Sequence, residues 1–124
     1  MCQVLTMLVD LGDYRYAATC EHGTIHIAWN MVSWHFMPHD LEKLALFLES
    51  HVPLPSPASE GNVSLNVDDR GSVRLWVATA GLAFSASDFL IFVAMIRAVI
   101  PKLEFYAMKI LEAKPRSSSL KVTN

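Results

Sequence analysis

Apolar and polar residues alternate through the first part of the chain. Ile25, Ile27 and Trp29 interleave with His26, Ala28 and Asn30, and Val32, Trp34 and Phe36 interleave with Ser33 and His35. A period of two marks a strand with one buried face, so these residues predict two strands joined at Asn30-Met31. With that pair as the loop, Ile27 faces Trp34, Ile25 faces Phe36 and Trp29 faces Val32. All three pairs are apolar, and a slip of one residue would turn them to solvent. The same register sets His26 opposite His35 on the other face. Upstream, residues 2–9 (CQVLTMLV) and 14–20 read as two more strands around an Asp10-Leu11-Gly12-Asp13 turn. At Pro38 the period changes. Leu41, Leu44, Ala45 and Leu48 have helical spacing, proline suits the first helical position, and Asp40 and Glu42 suit the positive end of the helix dipole. The helix is expected to end near Ser50 or His51.

Residues 52–62 (VPLPSPASEGN) are rich in turn formers and read as a loop. Beyond it the pattern returns. Val63, Leu65 and Val67, then Val73, Leu75 and Val77, then Ala80, Leu82 and Phe84 predict three strands, and Ser85 and Asp88 have the spacing of a capping box before a second helix. A shift of 48 residues lays Gly23 on Gly71, Phe36 on Phe84 and Asp40 on Asp88 without a gap. The chain is therefore expected to be one domain, 1–113, of two pseudo-repeats at about 14–51 and 62–100, arising by duplication or by shared patterning. The predicted class is α+β, ordered ββββα then βββα, mainly antiparallel sheet with helices packed on one face. This element order resembles that of the Whirly-type single-strand DNA-binding regulators, which are built from ββββα units. The resemblance implies a single-stranded nucleic-acid-binding regulator as one functional reading.

The second helix carries Phe89, Leu90, Ile91, Phe92, Val93, Ala94, Met95 and Ile96 before its first charge at Arg97. A helix apolar all round is buried all round, and one small domain covers one side of it, so a homodimer is expected. Pro101 is expected to kink or break the helix, leaving an extension, 101–113, with a fresh apolar stripe. Trp76 points outward by parity, beside Arg74 and opposite Gly81. The predicted interface is Trp76, Phe89, Leu90, Ile91, Val93, Ala94, Leu103, Tyr106, Ile110 and Leu111. Residues 114–124, with Lys114, Arg116 and Lys121, read as a flexible basic tail.

Composition strengthens the expectation of association. The chain is 52% hydrophobic and 18% charged, against about 25% charged in ordinary domains. The net charge of −2 argues against nucleic acid. That charge is uneven: residues 1–61 carry two basic against seven acidic groups, and 62–124 carry eight against five. No secretory signal is visible, and the apolar run 89–100 falls short of the roughly 20 residues a helix needs to cross a bilayer. The expectation is a cytoplasmic protein without a membrane partner, its thiols Cys2 and Cys20 reduced and free.

All five histidines lie in the first half, at 22, 26, 35, 39 and 51. Imidazole and thiolate ligate zinc and other transition metals. Cys20, His22, His26 and His35 are the candidate ligands, although Cys-x-His-x3-His is not an established zinc spacing. The alternative for these residues is a polar surface face with no cofactor. A Cys20 nucleophile with His22 or His26 lacks an orienting partner, and no phosphate-binding glycine loop or nucleophile elbow is present. Asp68 and Asp69 read as turn acids. The leading expectation is a non-enzymatic homodimeric interaction or regulatory module, possible partners including another protein; the alternatives are the nucleic-acid regulator and a transition-metal-binding protein built on the histidine hairpin.

Overall fold

A computed structural model of the chain describes residues 2–113, with side chains over 2–103. Strands β1 (Leu5–Gly12), β2 (Arg15–Cys20), β3 (Ile25–Trp29) and β4 (Val32–Phe36) lead into helix α1 (Pro38–Glu49). Strands β5 (Ala58–Glu60), β6 (Val63–Val67), β7 (Val73–Val77) and β8 (Ala80–Phe84) lead into helix α2 (Ala86–Ala113). Each set of strands forms its own antiparallel sheet in chain order. The architecture is α+β, with ββββα twice.

The β3–β4 register follows the alternation: Ile25 pairs with Phe36, His26 with His35, Ile27 with Trp34 and Trp29 with Val32. From β2 onward each element begins 48 residues before its counterpart, at Arg15 and Val63, Ile25 and Val73, Val32 and Ala80, and Pro38 and Ala86. The backbone keeps the same correspondence. Gly23 and Gly71 have φ of 82° and 83°, and Asn30 and Ala78 have φ of 57° and 56°. Left-handed turns at these points let each hairpin close.

Two elements differ from the sequence reading. The second unit has a fourth strand, β5, inside the stretch read as loop. It pairs Ala58, Ser59 and Glu60 with Leu65, Ser64 and Val63. Three residues, two of them polar, are too few to show a period. The second difference is at Pro101, where α2 does not break but continues as one helix of 28 residues. Proline in a helix costs about 3 kcal/mol. Val99 and Leu103, on either side of it, are both buried in the same core, each contributing about 1.5–3 kcal/mol. Burial on both sides therefore outweighs the break.

The inner faces of both sheets and both helices share one core. The Phe92 ring of α2 lies 5.2 Å from Trp29 and 6.1 Å from Trp34, edge-on to both, and 4.9 Å from Phe84. α2 thus packs on β1 and β2 of the first sheet as well as on its own β8. Lys102 Nζ donates to the Leu8 carbonyl at 2.6 Å, and Arg97 pairs with Glu49 of α1 at 3.4 Å. At the start of α2, Ser85 Oγ accepts the Asp88 amide at 3.1 Å. The Asp88 carboxylate completes no capping box; it pairs with Arg15 of the first unit at 3.4 Å.

Candidate metal centre

The site grows out of the turn between β2 and β3. Cys20 N donates to Thr24 O at 3.1 Å and Gly23 N donates to Cys20 O at 3.0 Å. The matching turn of the second unit is closed in the same way, by Asp68 N to Ser72 O and Gly71 N to Asp68 O, both 3.0 Å. There the Asp68 carboxylate also accepts the amides of Arg70 and Ser72, each at 2.9 Å. The turn is a small nest of N–H groups that favours an anion. In the first unit the residue in that place is Cys20, and the amides of His22 and Thr24 reach its sulfur.

Cys2 arrives from the other direction. β1 pairs with β2 through two register shifts, between Met7 and Val9 and between Asp10 and Gly12, which set Leu5 opposite Cys20. The Glu21 carboxylate accepts the amides of Gln3 at 2.9 Å and Val4 at 3.2 Å, fastening the start of the chain over the turn. Cys2 Sγ then lies 3.7 Å from His22 Nδ1 and 3.3 Å from His26 Nε2, and Cys20 Sγ lies 3.9 Å from His22 Nδ1. Ligand atoms of Cys2, Cys20, Glu21 and His22 all lie within 4.8 Å of one another.

The two thiols divide their protons unequally. Burial alone pushes the Cys20 thiol up, but hydrogen bonds from Cys2, from His26 and from the His22 and Thr24 amides outweigh it and bring it down from 9.0 to about 5. Cys2 is the donor to that sulfur, and this bond, with burial and the negative charges of Cys20 and Glu21, raises it to about 11. Glu21 is held below the usual carboxylate range, first by the Gln3 amide and then by its own and that of Val4. The cluster therefore presents one thiolate and one thiol beside the His22 and His26 rings, sulfur and nitrogen donors of the kind that transition metals take.

Of the four ligands predicted from sequence, the fold brings Cys20, His22 and His26 together. His35 does not reach the sulfurs in any hydrogen bond; its ring stands edge-on to His26 at 4.4 Å and supports it. Cys2 was absent from the predicted set, because its approach depends on the two bulges of β1. Among the predicted interface residues, Leu90, Ile91 and Ala94 are exposed on α2, and Trp76 is 41% exposed with its ring against Gly81. Phe89, Val93 and Leu103 are buried in the chain's own core. Tyr106, Ile110 and Leu111 lie on α2 with side chains outside the described residues, as does the tail 114–124. Among the described residues no helix is long and apolar enough to cross a membrane. Comparison with protein-family models, with curated proteins and with solved structures finds no match.

Proposed function

We propose that this chain is a small non-enzymatic module that binds one transition metal ion, zinc or an ion of similar softness, through Cys2, Cys20, His22 and His26. The supporting observation is the spacing of the donors. A tetrahedral zinc with sulfur at about 2.3 Å and nitrogen at about 2.0 Å sets its ligand atoms about 3.3–3.8 Å apart. Three of the sulfur–nitrogen separations here, 3.3, 3.7 and 3.9 Å, lie within a few tenths of an ångström of the roughly 3.5 Å that such a site sets between sulfur and nitrogen. The donor atoms within 4.8 Å of one another include Glu21 and not His26, but the Glu21 carboxylate already accepts the N-terminal amides, so His26, 3.3 Å from Cys2 Sγ, is taken as the fourth ligand. The role of the ion is to hold residues 2–4 against the first sheet, a region where Val4 and Leu5 are 61% and 48% exposed.

A second, compatible reading is the homodimeric interaction module. Leu90 and Ile91 are 42% and 44% exposed on the middle of α2, beside exposed Ala94. The nucleic-acid reading has the element order and Trp76 in its favour and the net charge of −2 against it.

Thermal unfolding with zinc and with chelator tests the metal reading. Zinc at 100 times its Kd stabilises the folded chain by about 2.7 kcal/mol, and Cys2→Ser removes that gain. Equal melting temperatures with zinc and with chelator would refute it.

A further inference from the structure

The two units are matched position by position, yet one of the two clefts between them is filled and the other is open. In the filled cleft, Arg15 at the start of β2 reaches across to Asp88 of α2 at 3.4 Å. Its Nε donates to Asn30 Oδ1 at 2.9 Å, and its guanidinium carbon lies 4.2 Å from the centre of the Trp29 ring. The residues 48 positions from these four are Val63, Asp40, Ala78 and Val77. Those last three, which replace the partners of Arg15, all line a groove of about 670 Å³, and so does Val63 itself. The groove is open at the place where the first cleft holds a guanidinium. Among the described residues Asp40 has no ion-pair partner.

We propose that this groove binds the arginine side chain of a partner polypeptide, its guanidinium meeting Asp40 as that of Arg15 meets Asp88. Three features shape the choice of ligand. The volume suits a drug-sized ligand and exceeds one arginine side chain, so flanking peptide has room. Glu60 lines the groove on the second-unit side and adds a second negative group, while Lys43, one turn from Asp40, opposes a ligand with two adjacent positive charges. Trp34 forms part of the wall, and its indole Nε1 is buried without a hydrogen-bond partner, so its signal reports on changes in the wall. Arginine is favoured over lysine because a planar, forked cation meets a carboxylate with two hydrogen bonds.

The test is a two-dimensional NMR titration of the full chain with acetyl-Gly-Arg-Gly-amide, and with acetyl-Gly-Gln-Gly-amide as the neutral probe. The arginine peptide should shift the Val63, Val77 and Ala78 amides and the Trp34 indole, and the glutamine peptide should not. Asp40→Asn, at an exposed position, should keep the fold and weaken binding about ten-fold, as loss of a hydrogen bond to a charged group does. Val63→Arg should place a guanidinium in the groove from within and abolish peptide binding. No shift of groove residues at millimolar arginine peptide would overturn the proposal, as would equal binding of the glutamine peptide or unchanged binding by Asp40→Asn.

Discussion

Cys20 and Asp68 stand at the same point of their units, 48 residues apart, and each receives the backbone amides two and four residues further on. The turn asks for an anion, and the first unit answers with a sulfur. Cys20→Asp should therefore keep the turn, with unfolding free energy within about 1 kcal/mol of the parent, since the carboxylate satisfies the same donors. Cys20→Leu should cost about 1–3 kcal/mol by leaving those amides without an acceptor. Urea unfolding of the two variants in chelator checks the difference.

The pH dependence of the metal-free protein follows from the same pair. The folded Cys20 thiol lies at about 5 against an ordinary 9.0, so its contribution to stability is complete above 9 and is lost as pH falls through 5. The folded Cys2 thiol lies at about 11, so its contribution is complete below 9 and is lost as pH rises through 11. Their sum should rise from pH 5 to 9 and fall from 9 to 11. Thiolate absorbance in the ultraviolet should show one thiolate appearing near pH 5 and a second near pH 11, as expected of two coupled groups sharing a proton. Two thiolates appearing together near pH 9 would contradict this.

Both units share one core, so they should unfold together. Phe92 is fully buried and touches the aromatic rings of Trp29, Trp34 and Phe84. Phe92→Ala should cost about 3–5 kcal/mol. Tryptophan fluorescence and far-ultraviolet circular dichroism should give one coincident urea transition in the parent and, shifted lower, in the variant. Separate transitions for the two probes would mean that the units are independent.

Much of this fold was legible because burial writes itself into period. The β3–β4 register and the 48-residue correspondence follow from alternating residues such as Ile25, Ile27 and Trp29. β5 was not legible, since Ala58, Ser59 and Glu60 carry no alternation and are recruited by β6. The passage of α2 through Pro101 depends on tertiary burial of Val99 and Leu103, which a local rule cannot weigh. The candidate site was half legible. Cys20, His22 and His26 sit on one hairpin and its turn, whereas Cys2 comes into reach only because two bulges shift β1 by one residue each. Bulges leave no reliable mark in a strand of mixed residues such as Leu5-Thr6-Met7-Leu8.

Association through α2 is a separate matter from the metal. If Leu90 and Ile91 form the contact, light scattering at micromolar concentration should give twice the mass of 13.8 kDa. Leu90→Glu with Ile91→Glu should return one chain mass with an unchanged circular dichroism spectrum, because neither side chain belongs to the core. A parent that already scatters as a single chain would rule the contact out.

The metal centre is tested most directly by titrating the reduced, chelator-treated protein with cobalt(II) and following absorbance. Cobalt takes the tetrahedral sites that zinc occupies and reports bound thiolate by a charge-transfer band. Saturation is expected at one cobalt per chain, with a band of two-thiolate intensity, d–d absorption of tetrahedral form, and displacement by one zinc. Cys2→Ser should halve the thiolate band and weaken binding. A titration with no charge-transfer band, or one that is the same in Cys2→Ser, would mean that Cys2 and Cys20 do not share a metal ion.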